Sequence, residues 1–214
     1  MTVAVAAAVV AGAVAGLACV GEWSAALAAV LRGPTPTGFW LLSRASGLGA
    51  YVALWLSMIA GLAVTNRWAR AWPGARRAID LHRDTSLVAL GLALVHALVL
   101  VGDRWARFTL AGVLLPFAAP VDEWAAVAIG QLALYALAAI VASFWLRRAI
   151  GARLWRAIHY ATFALFAAAT AHGLAAGSDR AAGLYWAAAA TVLFLAIHRA
   201  LRGAFASPAA ARAG

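Results

Sequence analysis

Leu81-His82-Arg83-Asp84-Thr85-Ser86-Leu87-Val88-Ala89-Leu90-Gly91-Leu92-Ala93-Leu94-Val95-His96-Ala97-Leu98-Val99-Leu100-Val101 is the stretch on which the fold turns. After Asp84 it carries no charge, and it does not alternate as a strand would. A run of this kind is long enough to cross a bilayer, where only helices or closed barrels satisfy every backbone polar group. Two histidines interrupt it, and a polar ionisable group is costly inside lipid unless it has a partner.

Five further apolar stretches flank this one. The first runs from about Val3 to Val20, the second from Phe39 to Val64, the fourth from Trp124 to Leu146, the fifth from Leu154 to Leu174 and the sixth from Ala181 to Ile197. The whole chain of 214 residues is 66% hydrophobic and only 11% charged, with mean hydropathy +0.89. Soluble domains sit near 45–50% apolar and about 25% charged. These values exclude a soluble enzyme, a nucleic-acid-binding domain and a disordered tail. The expected fold is all-α, a polytopic bundle of six transmembrane helices. Residues 1–37 would form the first span with an interfacial segment, 38–201 the core, and 202–214 a short cytoplasmic tail.

The net charge is +10, and every basic residue is Arg. Arg67, Arg70, Arg76 and Arg77 lie between spans two and three. Arg147, Arg148 and Arg153 lie between spans four and five, and Arg199, Arg202 and Arg212 follow span six. The opposite connections are close to neutral. The positive-inside rule therefore puts both termini in the cytoplasm. Residues 22–33 read as interfacial, and residues 107–121 as a Pro-broken outer lid. Trp23, Trp40, Trp105 and Trp124 would form an outer aromatic belt, with Trp68, Trp72 and Trp155 an inner one. Cys19 is the single cysteine, so no internal disulfide forms. The chain shows no internal repeat.

Four of the five histidines fall in two spans: His82 and His96 in span three, His159 and His172 in span five. The first two are about 21 Å apart along a helix and within roughly 40° of one direction. Both spans run from inside to outside, which gives an inner pair, His82 with His159, and an outer pair, His96 with His172. Each pair suits a flat cofactor whose metal takes two axial imidazoles, and haem b is the candidate. Thirteen residues rotate a regular helix about 220° past whole turns, so His159 and His172 are expected to face different directions. The bland alternative for all four is interhelical hydrogen bonding. Arg44 either snorkels to the outer interface, pairs with a haem propionate or lines an acceptor site. Arg77, Arg83, Arg153 and Arg156 lie near the inner pair, as propionate partners or simple anchors. His198 reads as interfacial, Tyr160 as packing and Trp155 as a belt residue able to meet a haem edge.

These features resemble the ferric-reductase-like transmembrane domain family, which includes the membrane parts of ferric reductases and NADPH oxidases and the haem-binding subunit of the methionine sulfoxide reductase system. The resemblance rests on His82-x13-His96 and His159-x12-His172. Leu41-Leu42-Ser43-Arg44-Ala45-Ser46-Gly47, Leu154-Trp155-Arg156-Ala157-Ile158-His159-Tyr160, His172-Gly173-Leu174 and Gly177-Ser178-Asp179 add to it. It covers roughly residues 38–200. It implies a metal-binding cytochrome b with two haems, the inner held by His82 and His159 and the outer by His96 and His172. Electrons would pass from a cytoplasmic donor to an outer acceptor across a bacterial plasma membrane, as the membrane component of an oxidoreductase. Arg44, Arg83 and Arg156 are the cofactor-contacting arginines expected beside the ligands.

About 14 residues follow span six, and no G-x-G-x-x-G is present; Gly47-Leu48-Gly49 lies inside a span, where close helix packing explains it. The donor is therefore expected to be a separate cytoplasmic reductase or quinol. No pattern indicates flavin. Two other readings stand beside this one. A transporter or scaffold would show repeats, broken helices and mid-span carboxylates, whereas Asp80 and Asp84 only flank the inner end of span three. A quinol-linked cytochrome b would keep the haems and change the donor. The expected surroundings are membrane lipid, with no nucleic acid.

Overall fold

The computed structural model describes residues 37–71, 74–103, 106–177 and 181–210, with side chains as far as 202. The expected first span, the interfacial segment 22–33, Cys19, Trp23, Trp72, Trp105 and Arg212 lie outside the described residues. The described chain is helical, with no strand. Helix α1 is Thr37–Thr65, followed by a 3-10 turn at Trp68–Arg70. Helix α2 is Ala75–Val99, with a second 3-10 turn at Leu100–Gly102. The short α3 is Leu110–Leu114, α4 is Trp124–Tyr160, α5 is Thr162–Ala176 and α6 is Ala182–Ala210.

Four helical runs among the described residues are long and apolar enough to cross a membrane. One of them, Trp124–Ala176, has 53 residues. A straight helix of that length would measure about 80 Å, far beyond a hydrocarbon core of about 30 Å. The chain solves this at Gly151, where φ is 78° and ψ 157°. That region of backbone space is open essentially to glycine alone. The run folds back there, and His172 near its end reaches the carbonyl of Ala126 near its start at 2.8 Å. The first arm of α4 and helix α5 are thus antiparallel neighbours. Gly74, with φ 100°, makes the corresponding entry into α2.

Helix α1 is the centre of the bundle. Ser43, Ser46, Ala50, Ala53, Ser57 and Ala60 are all buried on it. Their spacing of three and four residues makes a straight seam of small side chains, which lets two helix backbones approach closely. Helix α2 lies antiparallel along this seam. The register is fixed by contacts from Ser43 to His96 and from Ser57 to His82. A second stripe of α1 (Tyr51, Leu54, Met58 and Leu62) enters the apolar core with Leu137 and Ile140 of α4, Leu165 and Phe166 of α5, and Val192 and Leu195 of α6. Tyr51 stacks on Phe166 at 5.5 Å and meets Tyr185 edge-on at 4.7 Å. Thr170 gives its own hydroxyl hydrogen to the Phe166 carbonyl at 2.8 Å, so the Tyr51 hydroxyl donates to Thr170 at 2.9 Å.

By contrast α2 buries only Ala78 and Ala89. Most of its other apolar residues, such as Val88, Val95 and Leu98, are exposed, while Leu90 and Leu92 are half-buried. A helix that is apolar all round and bare on its outer faces is in its proper solvent only in lipid.

Candidate functional site

The structure brings all four span histidines together in the two expected pairs. The His82 and His159 ring centroids are 5.8 Å apart, and those of His96 and His172 are 6.0 Å apart. Because the low-numbered residues meet each other and the high-numbered residues meet each other, α2 runs parallel to the arm formed by the end of α4 and α5. The pairs lie about 21 Å apart along α2. The rings are steeply crossed, at 84° and 74°.

The expected divergence of His159 and His172 does not occur. The regular helix is interrupted between them. Ala161 has ψ −11°, its N–H donates to the Ile158 carbonyl at 3.1 Å, and α5 starts only at Thr162. An i→i−3 bond tightens the turn and rotates the chain further per residue than an α-helix does. The Thr162 hydroxyl donates to the His159 carbonyl at 2.7 Å and steadies this corner. The x12 spacing therefore belongs to a broken helix.

Three of the four rings have their Nδ1 on a backbone carbonyl. His96 Nδ1 lies 2.7 Å from the Ser43 carbonyl, His82 Nδ1 2.9 Å from the Ser57 carbonyl, and His172 Nδ1 2.8 Å from the Ala126 carbonyl. A carbonyl only accepts, so Nδ1 carries the hydrogen in each case. The lone pair is then on Nε2, which is the state a metal ligand needs. Serine completes a reciprocal clamp: Ser43 Oγ donates to the His96 carbonyl at 3.0 Å, and Ser57 Oγ to the His82 carbonyl at 3.2 Å. His159 is held differently. Among the described residues neither of its nitrogens has a hydrogen-bond partner, and its ring lies flat on Trp155 at 5.3 Å and 18°.

Glycines make the seats. A Cβ on Gly47 would come within 2.6 Å of His96 Nδ1, and one on Gly130 within 2.6 Å of His172 Nδ1. On Gly61 it would be 3.3 Å from His82 Nδ1. The same shortage of side chains opens a cavity of about 280 Å³ around the outer pair, lined by Gly47, Ala50, Ala93, Gly130, Ala133 and Gly173 among others.

The residues fit a bis-imidazole metal macrocycle. Two imidazoles on opposite faces of one metal, each nitrogen about 2.0–2.1 Å away, have centroids roughly 6.4 Å apart. The observed separations fall about half an ångström short of that. Among the described residues no group of three or more His, Cys, Asp or Glu could hold a metal ion. Each pair thus offers a metal two imidazole nitrogens.

The three expected arginines lie in different settings. Arg44 lines the outer cavity, with its guanidinium 5.5 Å from the Trp40 ring. Arg83 is exposed and pairs with Asp84 at 3.0 Å. Arg156 is exposed on the last turns of α4. Sequence reasoning passed over Arg199, which donates to the Tyr160 hydroxyl at 3.0 Å beside His159. It quoted Ser43 and Gly47 without giving them a part in holding a histidine, and it passed over Ser57, Gly61 and Gly130. A signal for four of these was present: Ser43-x3-Gly47 recurs as Ser57-x3-Gly61, at the same 14-residue interval as the two α2 histidines. His198 packs on Trp68 at 4.8 Å, away from both pairs.

No curated protein and no solved structure matches the chain. A family model described as Domain of unknown function (DUF8596) matches residues 38–179, a stretch that contains both imidazole pairs, and the chain belongs to that family.

Proposed function

We propose that this chain is a di-haem b transmembrane electron-transfer protein, the membrane component of an oxidoreductase. In this reading six spans leave both termini in the cytoplasm of a bacterial cell. Electrons enter at the inner pair from a separate cytoplasmic reductase or quinol and leave at the outer pair to an acceptor beyond the membrane.

One observation carries the reading: two imidazole pairs at two depths, each at metal-bridging separation, with three of the four rings locked in the ligand tautomer. A single site would not serve a hydrocarbon core of about 30 Å, and two sites about 21 Å apart divide the distance. Haem would supply reversible one-electron chemistry at each pair. The chain's own residues do the rest. Ser43, Ser57 and Ala126 present carbonyls that hold the imidazoles neutral and fixed. Gly47, Gly61 and Gly130 leave room for them. Neutral imidazoles add no charge to the membrane interior, unlike carboxylates. Arg44 at the outer cavity and Arg199 near the inner pair are cations suited to haem carboxylates.

The test is a reduced-minus-oxidised spectrum and a pyridine hemochrome assay on protein purified from membranes. The expected result is a b-type signal with two haems per chain, halved in the double variant His96→Ala/His172→Ala. A folded, colourless protein from haem-replete cells would overturn the reading.

A further inference from the structure

We propose that Gln131 and Tyr135 latch residues 106–121 shut over the outer cavity, and that this lid limits what reaches the His96–His172 pair to molecules small enough to pass beneath it. The lid begins after the buried Asp103, whose carboxylate accepts the Ala106 N–H at 3.1 Å. Thr109 caps the short helix α3 by accepting the Gly112 N–H at 3.0 Å. Phe108 and Val113 point inward, are buried and line the cavity. Leu110, Leu115 and Phe117 are exposed on the other side.

Helix α4 supplies the latch from two residues one turn apart. Gln131 Nε2 donates to the carbonyls of both Gly112 and Val113, each at 2.8 Å. The Tyr135 hydroxyl donates to the Leu114 carbonyl. Three consecutive carbonyls of the lid are thus held by two side chains on one helix face. Gln131 is 7% exposed and itself lines the cavity. Two carbonyl acceptors fix which end of the amide faces the lid, and its Oε1 is left buried without a partner. The lid is strained at both ends. Arg107 has φ 52° and Phe117 φ 71°, left-handed backbone that non-glycine residues rarely adopt. A segment flanked by strained residues and pinned at its centre is built to release when the pins go.

Val113 reports closure, because it is 5% exposed while Leu115 two residues on is 57% exposed. The experiment uses the full chain with Cys19→Ser, carrying Val113→Cys or Leu115→Cys, reacted with a polyethylene-glycol maleimide and read by gel shift. With the latch intact, Val113→Cys reacts about tenfold more slowly than Leu115→Cys, as expected when opening must break several buried hydrogen bonds. Gln131→Leu and Tyr135→Phe each speed Val113→Cys several-fold and leave Leu115→Cys unchanged. Tyr135→Phe removes a single hydroxyl from an exposed ring, so it carries the test if Gln131→Leu does not fold. Equal rates at the two positions with the latch intact, or no response to either variant, would overturn the latch.

A second arm rests on the electron-transfer reading. The reduced protein is reoxidised by dioxygen, which takes one electron to become superoxide, or by a ferric chelate, which takes one to become ferrous. The latch variants speed the chelate and leave dioxygen unchanged. An equal response, or none, would refute the size filter. A colourless protein would sink the haem reading and leave the labelling result intact.

Discussion

The two imidazole pairs hold the same chemistry in different ways. In the outer pair both rings give Nδ1–H to a backbone carbonyl, both rest on glycine, and a docked lid covers them. In the inner pair only His82 has this arrangement, while His159 rests on Trp155, with Tyr160 and Arg199 alongside. Far from water an unpaired N–H has no other partner, so a buried ring must be hydrogen-bonded by protein. Nearer the basic face, stacking is enough to orient a ring whose second nitrogen can meet solvent. The outer site is a rigid socket and the inner one is half open.

Removing an imidazole exposes this contrast most strongly. If the chain holds two haems as proposed, His172→Ala and His159→Ala are each expected to lose one of them, measured as hemochrome per chain. Added imidazole should restore the low-spin spectrum of His159→Ala, because the inner side is open. It should fail with His172→Ala unless the lid is also released. Equal rescue of the two variants would erase the distinction drawn here.

Glycine seats give the next largest effect. Gly47→Ala and Gly130→Ala put a methyl group 2.6 Å from a ring nitrogen, a distance that Cβ atoms essentially never show, whereas Gly61→Ala puts it at 3.3 Å. Overpacking of the first kind costs about 1–3 kcal/mol. The outer haem should therefore be lost or weakly bound in Gly47→Ala and Gly130→Ala, and the inner haem nearly unaffected in Gly61→Ala. Haem retention on a desalting column checks this.

How much of this was legible follows from particular residues. The membrane character and the helices were plain from the apolar runs, and the pairing of His82 with His159 and His96 with His172 followed from the parallel order of two spans. The direction of His172 was not legible, because it depends on the turn at Ala161, a residue with no breaker character. The fold-back at Gly151 was legible as a place, because a glycine among arginines between two apolar runs reads as a connection, although not as a single glycine that turns the chain with hardly any break in the helix. The roles of Ser43 and Ser57 escaped because serine in a helix reads as packing. Only the 14-residue match between the two helices gives them a role, and a match of that kind appears when two segments are compared.

Those serines supply a smaller prediction. Ser57 Oγ contacts the His82 carbonyl and lies 2.7 Å from Ser86 Oγ, which itself donates to the His82 carbonyl. Ser43 Oγ has only His96. Alanine leaves the backbone acceptor of each histidine in place, so both haems should stay bound. Each lost hydroxyl bond costs about 0.5–1.5 kcal/mol. Ser57→Ala should therefore lower the unfolding free energy in mixed micelles more than Ser43→Ala. The reverse order would mean that Ser86 takes over the clamp unaided.

The smallest effect sits at Trp155. Its ring fixes His159 by contact alone, and such pairs contribute about 0.5–1.5 kcal/mol beyond the area they bury. Trp155→Leu keeps the apolar bulk and removes the flat face, so His159 keeps its place on the helix while its ring swings. The imidazole planes of the inner pair, crossed at 84° here, would then spread over a range of angles. Electron paramagnetic resonance reads that angle in low-spin ferric haem. The inner signal should broaden and the outer one stay sharp, with Trp155→Phe recovering most of the lost definition. A change in the outer signal would show that the two sites are mechanically coupled across the turn at Ala161, from the end of α4 into α5, and the contrast between socket and open seat would then describe one continuous element.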